Sequence, residues 1–205
     1  MFKKLLIANR GEIACRIAST ARRMGIRTVA IYSDVDRDGL HVEACDEAVA
    51  IGGTSSADSY LEIDKVLSAA IETESDAIHP GYGFLSENPL FAKECAAAKI
   101  IFVGPPAIAI EVMGSKSKAK KLMELAGVPL VPGYHGEEQE VSYLSQKANE
   151  IGFPVLVKAS AGGGGRGMRI VESLDDLETA VNSSKREAKA ALSDDHLMLE
   201  KFITE

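Results

Sequence analysis

Through roughly the first hundred residues, short unbroken apolar runs alternate with stretches in which apolar residues return every three or four positions. Residues 5–8 (Leu-Leu-Ile-Ala), 28–32 (Thr-Val-Ala-Ile-Tyr), 48–51 and 100–103 are runs of the first kind, and Ala77-Ile-His-Pro80 is a further strand, running into Gly81-Tyr-Gly83. They read as strands buried on both faces, since a strand with one wet face alternates apolar and polar residues. Between them, Ile13, Ile17, Ala21 and Met24 recur at helical spacing, and Gly25 ends that helix. Residues 63–71 carry a second apolar helical face. Residues 87–98 read as a third helix, started by Ser86 and tolerating Pro89 in its first turn. Buried strands alternating with amphipathic helices predict a doubly wound parallel-sheet α/β domain over residues 1–103. Ligands of such sheets bind at the C-terminal strand ends.

The pattern then changes. Residues 107–113 and 115–126 predict two short helices joined by Gly114, followed by the extended connector Gly127-Val-Pro-Leu-Val-Pro-Gly133. Residues 104–131 are therefore a helical linker. Residues 132–205 predict a helix at 142–151, a hairpin, a helix at 175–192 that Asp175 helps to start, and a last strand, Leu197-Met-Leu-Glu200. This is a small α+β module, too short to be expected to hold a deep core of its own.

The hairpin carries the first chemical signal. Lys158-Ala-Ser-Ala-Gly-Gly-Gly-Gly-Arg-Gly-Met168 lies between two β-prone segments, Pro154-Val-Leu-Val157 and Met168-Arg-Ile-Val171. Glycines let backbone N–H groups converge on an anion, and a lysine beside them adds a compact positive charge. The segment reads as a nucleotide-phosphate cradle or as a flexible linker. It is not a Walker loop, because no Gly-Lys-Ser/Thr opens a helix after it. Lys116 is a second candidate, although with Lys118, Lys120 and Lys121 nearby it reads on local evidence as part of a basic helix face, and only the family pattern below separates it from them. Glu200-Lys201-Phe202-Ile203 reads as a strand leaving the core, or as an edge strand offering backbone groups to an adenine ring.

Two loops follow strands in the first domain. His79-Pro-Gly-Tyr-Gly-Phe-Leu-Ser-Glu-Asn88 combines a fixed backbone path with an aromatic and polar groups. It serves either as a capped strand-to-helix connection or as a binding loop. In Asn9-Arg-Gly-Glu12, Arg10 and Glu12 either bind an anion or pair with each other.

Composition narrows the function. A net charge of −7, with no dense basic and aromatic stretch, argues against a nucleic-acid partner. No apolar run approaches the ~20 residues of a membrane span. Three widely spaced cysteines offer neither a zinc site nor a disulfide framework and suit a reducing compartment. No metal-ligand cluster or nucleophilic triad is visible.

Together, Ile7-Ala-Asn-Arg-Gly-Glu-Ile-Ala14, the loop from His79 to Asn88, Met113-Gly-Ser-Lys116, the glycine segment and Glu200-Lys201-Phe202 form a specific set. In these segments the chain resembles the N-terminal part of biotin carboxylases of the ATP-grasp superfamily. It looks most like the α subunits of bacterial acyl-CoA carboxylases of the acetyl, propionyl or methylcrotonyl type. The resemblance implies that the module at 132–205 is an ATP-grasp lid. It implies an ATP-dependent ligase that carboxylates carrier-bound biotin with bicarbonate, with ATP, Mg2+ and biotin as cofactors.

By resemblance, Lys116 and Lys158 contact ATP phosphates, and Gly163, Gly164 and Gly165 close over them. Met168 packs near the adenine, and Glu200, Lys201 and Ile203 form the adenine-binding edge. Tyr82 and Gly83 face biotin. The implied partners are a biotin carboxyl carrier domain and a carboxyltransferase subunit, in a cytoplasmic, homo-oligomeric parent. Family members continue well past this length, and that part carries the magnesium-binding glutamates, the base and the biotin-stabilising arginines. The chain is accordingly expected to be a truncated portion, inactive alone, with no catalytic residue of its own. The same module from a pyruvate or urea carboxylase, or a non-catalytic nucleotide-binding domain, fits the same motifs.

Overall fold

The computed structural model describes residues 2–160, 168–192 and 195–204. The chain forms two compact units, Met1–Glu111 and Val112–Glu205.

The first unit is built on a five-stranded parallel sheet of order β3-β2-β1-β4-β5. Its strands are β1 (Lys4–Ile7), β2 (Arg27–Tyr32), β3 (Glu47–Ala50), β4 (Ala77–His79) and β5 (Ile101–Phe102). Leu5 and Ile7 point to one side, where they pack with Ala14, Ile17, Ala18 and Ala21 of helix α1 (Gly11–Arg23). Leu6 and Ala8 point to the other, where Val66, Ala69 and Ala70 of α3 (Ile63–Glu72) and Phe91 and Cys95 of α4 (Pro89–Ala97) bury them. Cover on both faces explains the apolar runs of the central strands β1 and β2, but the edge strands depart from the expectation of full burial: β3 alternates half-buried and exposed residues, and Ile101 of β5 is exposed, because an edge strand is only partly covered. The strand order turns back between β1 and β4, so the loops after those two strands meet at the switch point.

Local chemistry sets the helix ends. Gly25 takes φ +70° just after α1, where a side chain would be strained. The start of α4 differs from expectation. Asn88, rather than Ser86, is the cap, its side-chain oxygen accepting from the Leu90 and Phe91 N–H groups at 2.9 and 3.1 Å. Pro89 fixes this choice, since it sits at the first helical position and needs no N–H partner there. A 3-10 turn (Asp34–Asp36) and a short helix α2 (Leu40–Ala44) follow β2. Neither is long enough to leave a periodic pattern.

Helix α5 (Ala107–Met113) runs across the division between the units. The second unit contains α6 (Lys116–Leu125), β6 (Gly133–Tyr134), α7 (Val141–Ile151), β7 (Val155–Ala159), β8 (Arg169–Val171), α8 (Leu174–Leu192) and β9 (Leu197–Lys201). Its four strands form an antiparallel sheet of order β6-β9-β7-β8. Asp175 lies inside α8, which begins at Leu174. Helices α7 and α8 cover one sheet face, where Leu144, Ala148, Leu177 and Val181 bury Val155, Val157, Val171, Leu197 and Leu199 at 0–2% exposure. The unit therefore has a dense core of its own, contrary to what its length suggests, because each strand gives up one whole face to it. Among the described residues no helix is long and apolar enough to cross a membrane.

Candidate nucleotide-binding site

The register of the antiparallel sheet decides what its second face carries. Leu156 stands opposite Glu200 and Ile170, and Lys158 opposite Met198. With side chains alternating along each strand, Leu156, Lys158, Ile170, Met198 and Glu200 share the face away from α7 and α8. Met168 precedes β8 with the same parity and is half-exposed, as is Ile170. This face is an apolar floor with one charged cluster in it.

That cluster joins three elements. Lys158 Nζ approaches Glu200 Oε2 at 2.5 Å, and Lys120 Nζ of α6 approaches Glu200 Oε1 at 2.5 Å. All three side chains are only 13–18% exposed. Burial pushes the Glu200 carboxyl up, but the two lysine hydrogen bonds outweigh it and hold the carboxyl below its ordinary 4.5. A carboxylate lowered in the folded state adds stability above its unfolded pKa and loses it as pH falls through the folded value. Glu200→Gln should therefore unfold at a pH-independent offset from the native chain above about pH 5, with the offset shrinking as pH drops further. Thermal melts of both proteins from neutral to acid pH check this; an offset constant through the whole range would contradict it.

The helix that supplies Lys120 is tied to the same strand end. Ser160, just before the glycine segment, donates through Oγ to Ser117 Oγ at 3.1 Å. Ser115 caps α6 by accepting the Lys118 N–H. Lys116 is the first residue of α6, one turn from Lys120 on the same helix face. Lys116 and Lys120 are partly buried, whereas Lys118 and Lys121 are exposed.

Other sequence expectations fare differently. Gly163, Gly164 and Gly165 lie outside the described residues. β9 is not an edge strand; it pairs with β6 on one side and β7 on the other, so its ladder groups are spent within the sheet. The Lys201 side chain closes the end of α7, donating to the Gly152 and Phe153 carbonyls at 2.9 and 2.7 Å. Ile203 lies beyond the strand and is exposed. Sequence reasoning missed Lys120, which on local evidence is one of four similar lysines.

In the first unit, Tyr82 and Gly83 lie on the loop after β4. Asn9, after β1, holds that loop by donating from Nδ2 to the carbonyls of Pro80 and Tyr82, each at 2.8 Å. Gly81 takes φ +66°, and a Cβ there would lie 2.7 Å from Asn9 Nδ2, so only glycine fits. The His79 imidazole is pushed down by burial, and its Nδ1 accepts the Gly81 N–H at 3.0 Å. Tyr82 stays exposed, its hydroxyl 3.4 Å from Glu12.

Arg10 pairs with Asp36 and not with Glu12, its Nη1 2.8 Å from Asp36 Oδ2. Its guanidinium also lies over the stacked rings of Tyr60 and Phe84, 5.4 and 5.8 Å from their centroids. Among the described residues no group of three or more His, Cys, Asp or Glu side chains is placed to hold a metal ion.

Comparison with known proteins decides the family. Residues 1–110 match the biotin carboxylase N-terminal domain, and residues 115–205 match the ATP-binding domain of the carbamoyl-phosphate synthase L chain. The chain belongs to the biotin carboxylase family. It is 54% identical over 203 residues to the mitochondrial methylcrotonoyl-CoA carboxylase subunit alpha of Oryza sativa, covering 99% of this chain and 28% of that protein. It is 53% identical to the propionyl-CoA carboxylase alpha chain of Ruegeria pomeroyi, covering 100% of this chain and 30% of that one. The chain thus spans less than a third of the length of these curated relatives.

Among solved structures it is similar to the Campylobacter jejuni biotin carboxylase in complex with β,γ-ATP, with a TM-score of 0.94 and 46% identity over 100% of this chain and 46% of that one. It is also similar to part of Rhizobium etli pyruvate carboxylase, with a TM-score of 0.85 and 44% identity over 98% of this chain and 18% of that one. The parallel sheet and the small antiparallel sheet are those of biotin carboxylase structures.

Proposed function

We propose that the face of the antiparallel sheet turned away from α7 and α8 binds the phosphates of ATP, along the edge where Lys158 and Glu200 meet α6. In the whole protein, this ATP and bicarbonate carboxylate biotin on a carrier domain, and a carboxyltransferase subunit passes the carboxyl group to an acyl-CoA. The observation that carries the reading is the meeting of Lys158 and Lys120 at Glu200, where β7 runs into the glycine segment. Two lysines on one carboxylate leave a surplus positive charge, as an anionic ligand requires. In this reading Lys116 and Lys158 contact phosphates, and Met168 packs against the adenine. Ile203, exposed beyond β9, offers backbone groups that the ladder does not use. Glu200 serves by its charge, and Lys201 by holding the strand.

Tyr82 and Gly83 face biotin in the same reading. The exposed Tyr82 ring and the fixed path around it support this assignment. The acyl-CoA class and the partner subunits rest on the relatives named above, and the parent is proposed to be a homo-oligomer. Three free cysteines suit a reducing compartment; the cytoplasm is our assignment, and relatives at similar identity are mitochondrial.

ADP release by the whole protein tests the reaction. Release that rises only when bicarbonate and biotin are both supplied with ATP is expected. Release at one rate with and without biotin would overturn it.

A further inference from the structure

The charge arithmetic at Glu200 gives Lys120 a task of its own. The carboxylate has two oxygens; Lys120 takes Oε1 and Lys158 takes Oε2. The cluster carries two positive charges and one negative, a net of +1. Its side chains are shielded enough from water that partners are not freely exchanged for solvent. A lysine ammonium has three donors, so Lys158 can hold Glu200 and still offer hydrogens to a phosphate. Without Lys120, however, Glu200 and Lys158 would form a neutral pair, and the carboxylate would repel the incoming anion. Helix α6 is placed to prevent this. Ser117 ties it to Ser160 at the end of β7, and its face bearing Lys116 and Lys120 is the partly buried one.

We propose that Lys120 is a positioning residue for phosphate binding: it neutralises Glu200 so that the charge of Lys158 is available to the nucleotide. The inference rests on the nucleotide reading given above and adds a residue to it. It explains why a carboxylate stands beside the phosphate lysine. Glu200 orients Lys158 before a ligand arrives, and Lys120 keeps that orientation from cancelling the charge.

Calorimetric titration of the 205-residue chain with ADP and with adenosine tests it, with folding of each variant checked by thermal melting. Lys120→Met should weaken ADP binding about tenfold, the scale of one charge-assisted hydrogen bond. It should change adenosine binding by no more than about twofold, since adenosine has no phosphate to lose. Lys120→Arg should retain ADP affinity, because the charge is kept. The double variant Lys120→Met with Glu200→Gln should regain most of the loss, as no carboxylate remains to neutralise Lys158. Equal losses for ADP and adenosine, or a double variant no better than Lys120→Met, would show that Lys120 only holds α6 in place and would overturn the inference. Native chain that binds ADP no more tightly than adenosine would overturn the phosphate-site reading itself, and this inference with it.

Discussion

Lys158→Gln should weaken ATP binding by roughly ten- to a hundredfold, while Lys118→Gln should change it by about twofold at most. The larger figure follows from the loss of one charge-assisted hydrogen bond of about 1.5–3 kcal/mol. Lys158 is 17% exposed at the end of β7, with its ammonium fixed beside Glu200. Its charge is therefore held in place before a ligand arrives, and little side-chain entropy is lost on binding. Lys118 is exposed, and the contact it makes to the Ser115 cap comes from its backbone N–H, which the substitution leaves intact. Titration of both variants, with melting curves as a folding check, measures the difference. Equal affinities would make Lys158 a structural partner of Glu200 and would remove the phosphate assignment.

Asp36→Ala should destabilise the first unit by about 2–4 kcal/mol, against less than about 0.5 kcal/mol for the exposed Asp38→Ala. Asp36 accepts from the Tyr60 hydroxyl and the Ser33 hydroxyl, both at 2.8 Å, and from Arg10. Tyr60 is 1% exposed, and burial together with Asp36 pushes its phenol up to about 12, so it stays a donor. Removing the carboxylate leaves that donor and the buried Ser33 without their acceptor. The Arg10 ion pair adds little, since Arg10 is 42% exposed and screened by water. Loss of Arg10's anchor should also loosen its hold on the Tyr60–Phe84 stack, and with it the loop that carries Tyr82. Urea unfolding of the two variants checks the energies. A change at Asp36 no larger than that at Asp38 would show that the network is not a structural anchor.

The parts of the fold that pack locally were plain in the sequence, and the parts that depend on distant partners were not. Strands β1 and β2 are buried on both faces along most of their length, so composition alone marks them. The two-residue strand β6 exists only because Gly133 and Tyr134 pair with Glu200 and Leu199 across the chain; by itself it reads as a connector. The Asn88 cap is a local feature that the reading from Ser86 passed over, although proline at the first helical position points to the residue before it. Arg10 and Asp36 stand 26 residues apart, and nothing local links them.

The same distinction runs through the site. Lys158 is set apart by the strand before it and the glycines after it. Lys120 gains its meaning from Glu200, which lies on a strand at the other end of the unit, so four lysines on one helix look alike until the sheet is assembled. The face shared by Lys158 and Glu200 follows from strand register, and register between β7 and β9 is fixed by the core that α7 and α8 build on the opposite face.

In this account the face of the small sheet that carries Lys158 and Glu200 receives the nucleotide. Titrating ATP into the 15N-labelled 205-residue chain, followed residue by residue in two-dimensional NMR spectra, tests it most directly. Saturable shifts at the amides of Lys158, Met168 and Glu200, with those of Val66, Ala69 and Ala70 in α3 unmoved, are the predicted result. Saturable shifts confined to residues of the first unit, or none at Lys158 and Glu200, would contradict it.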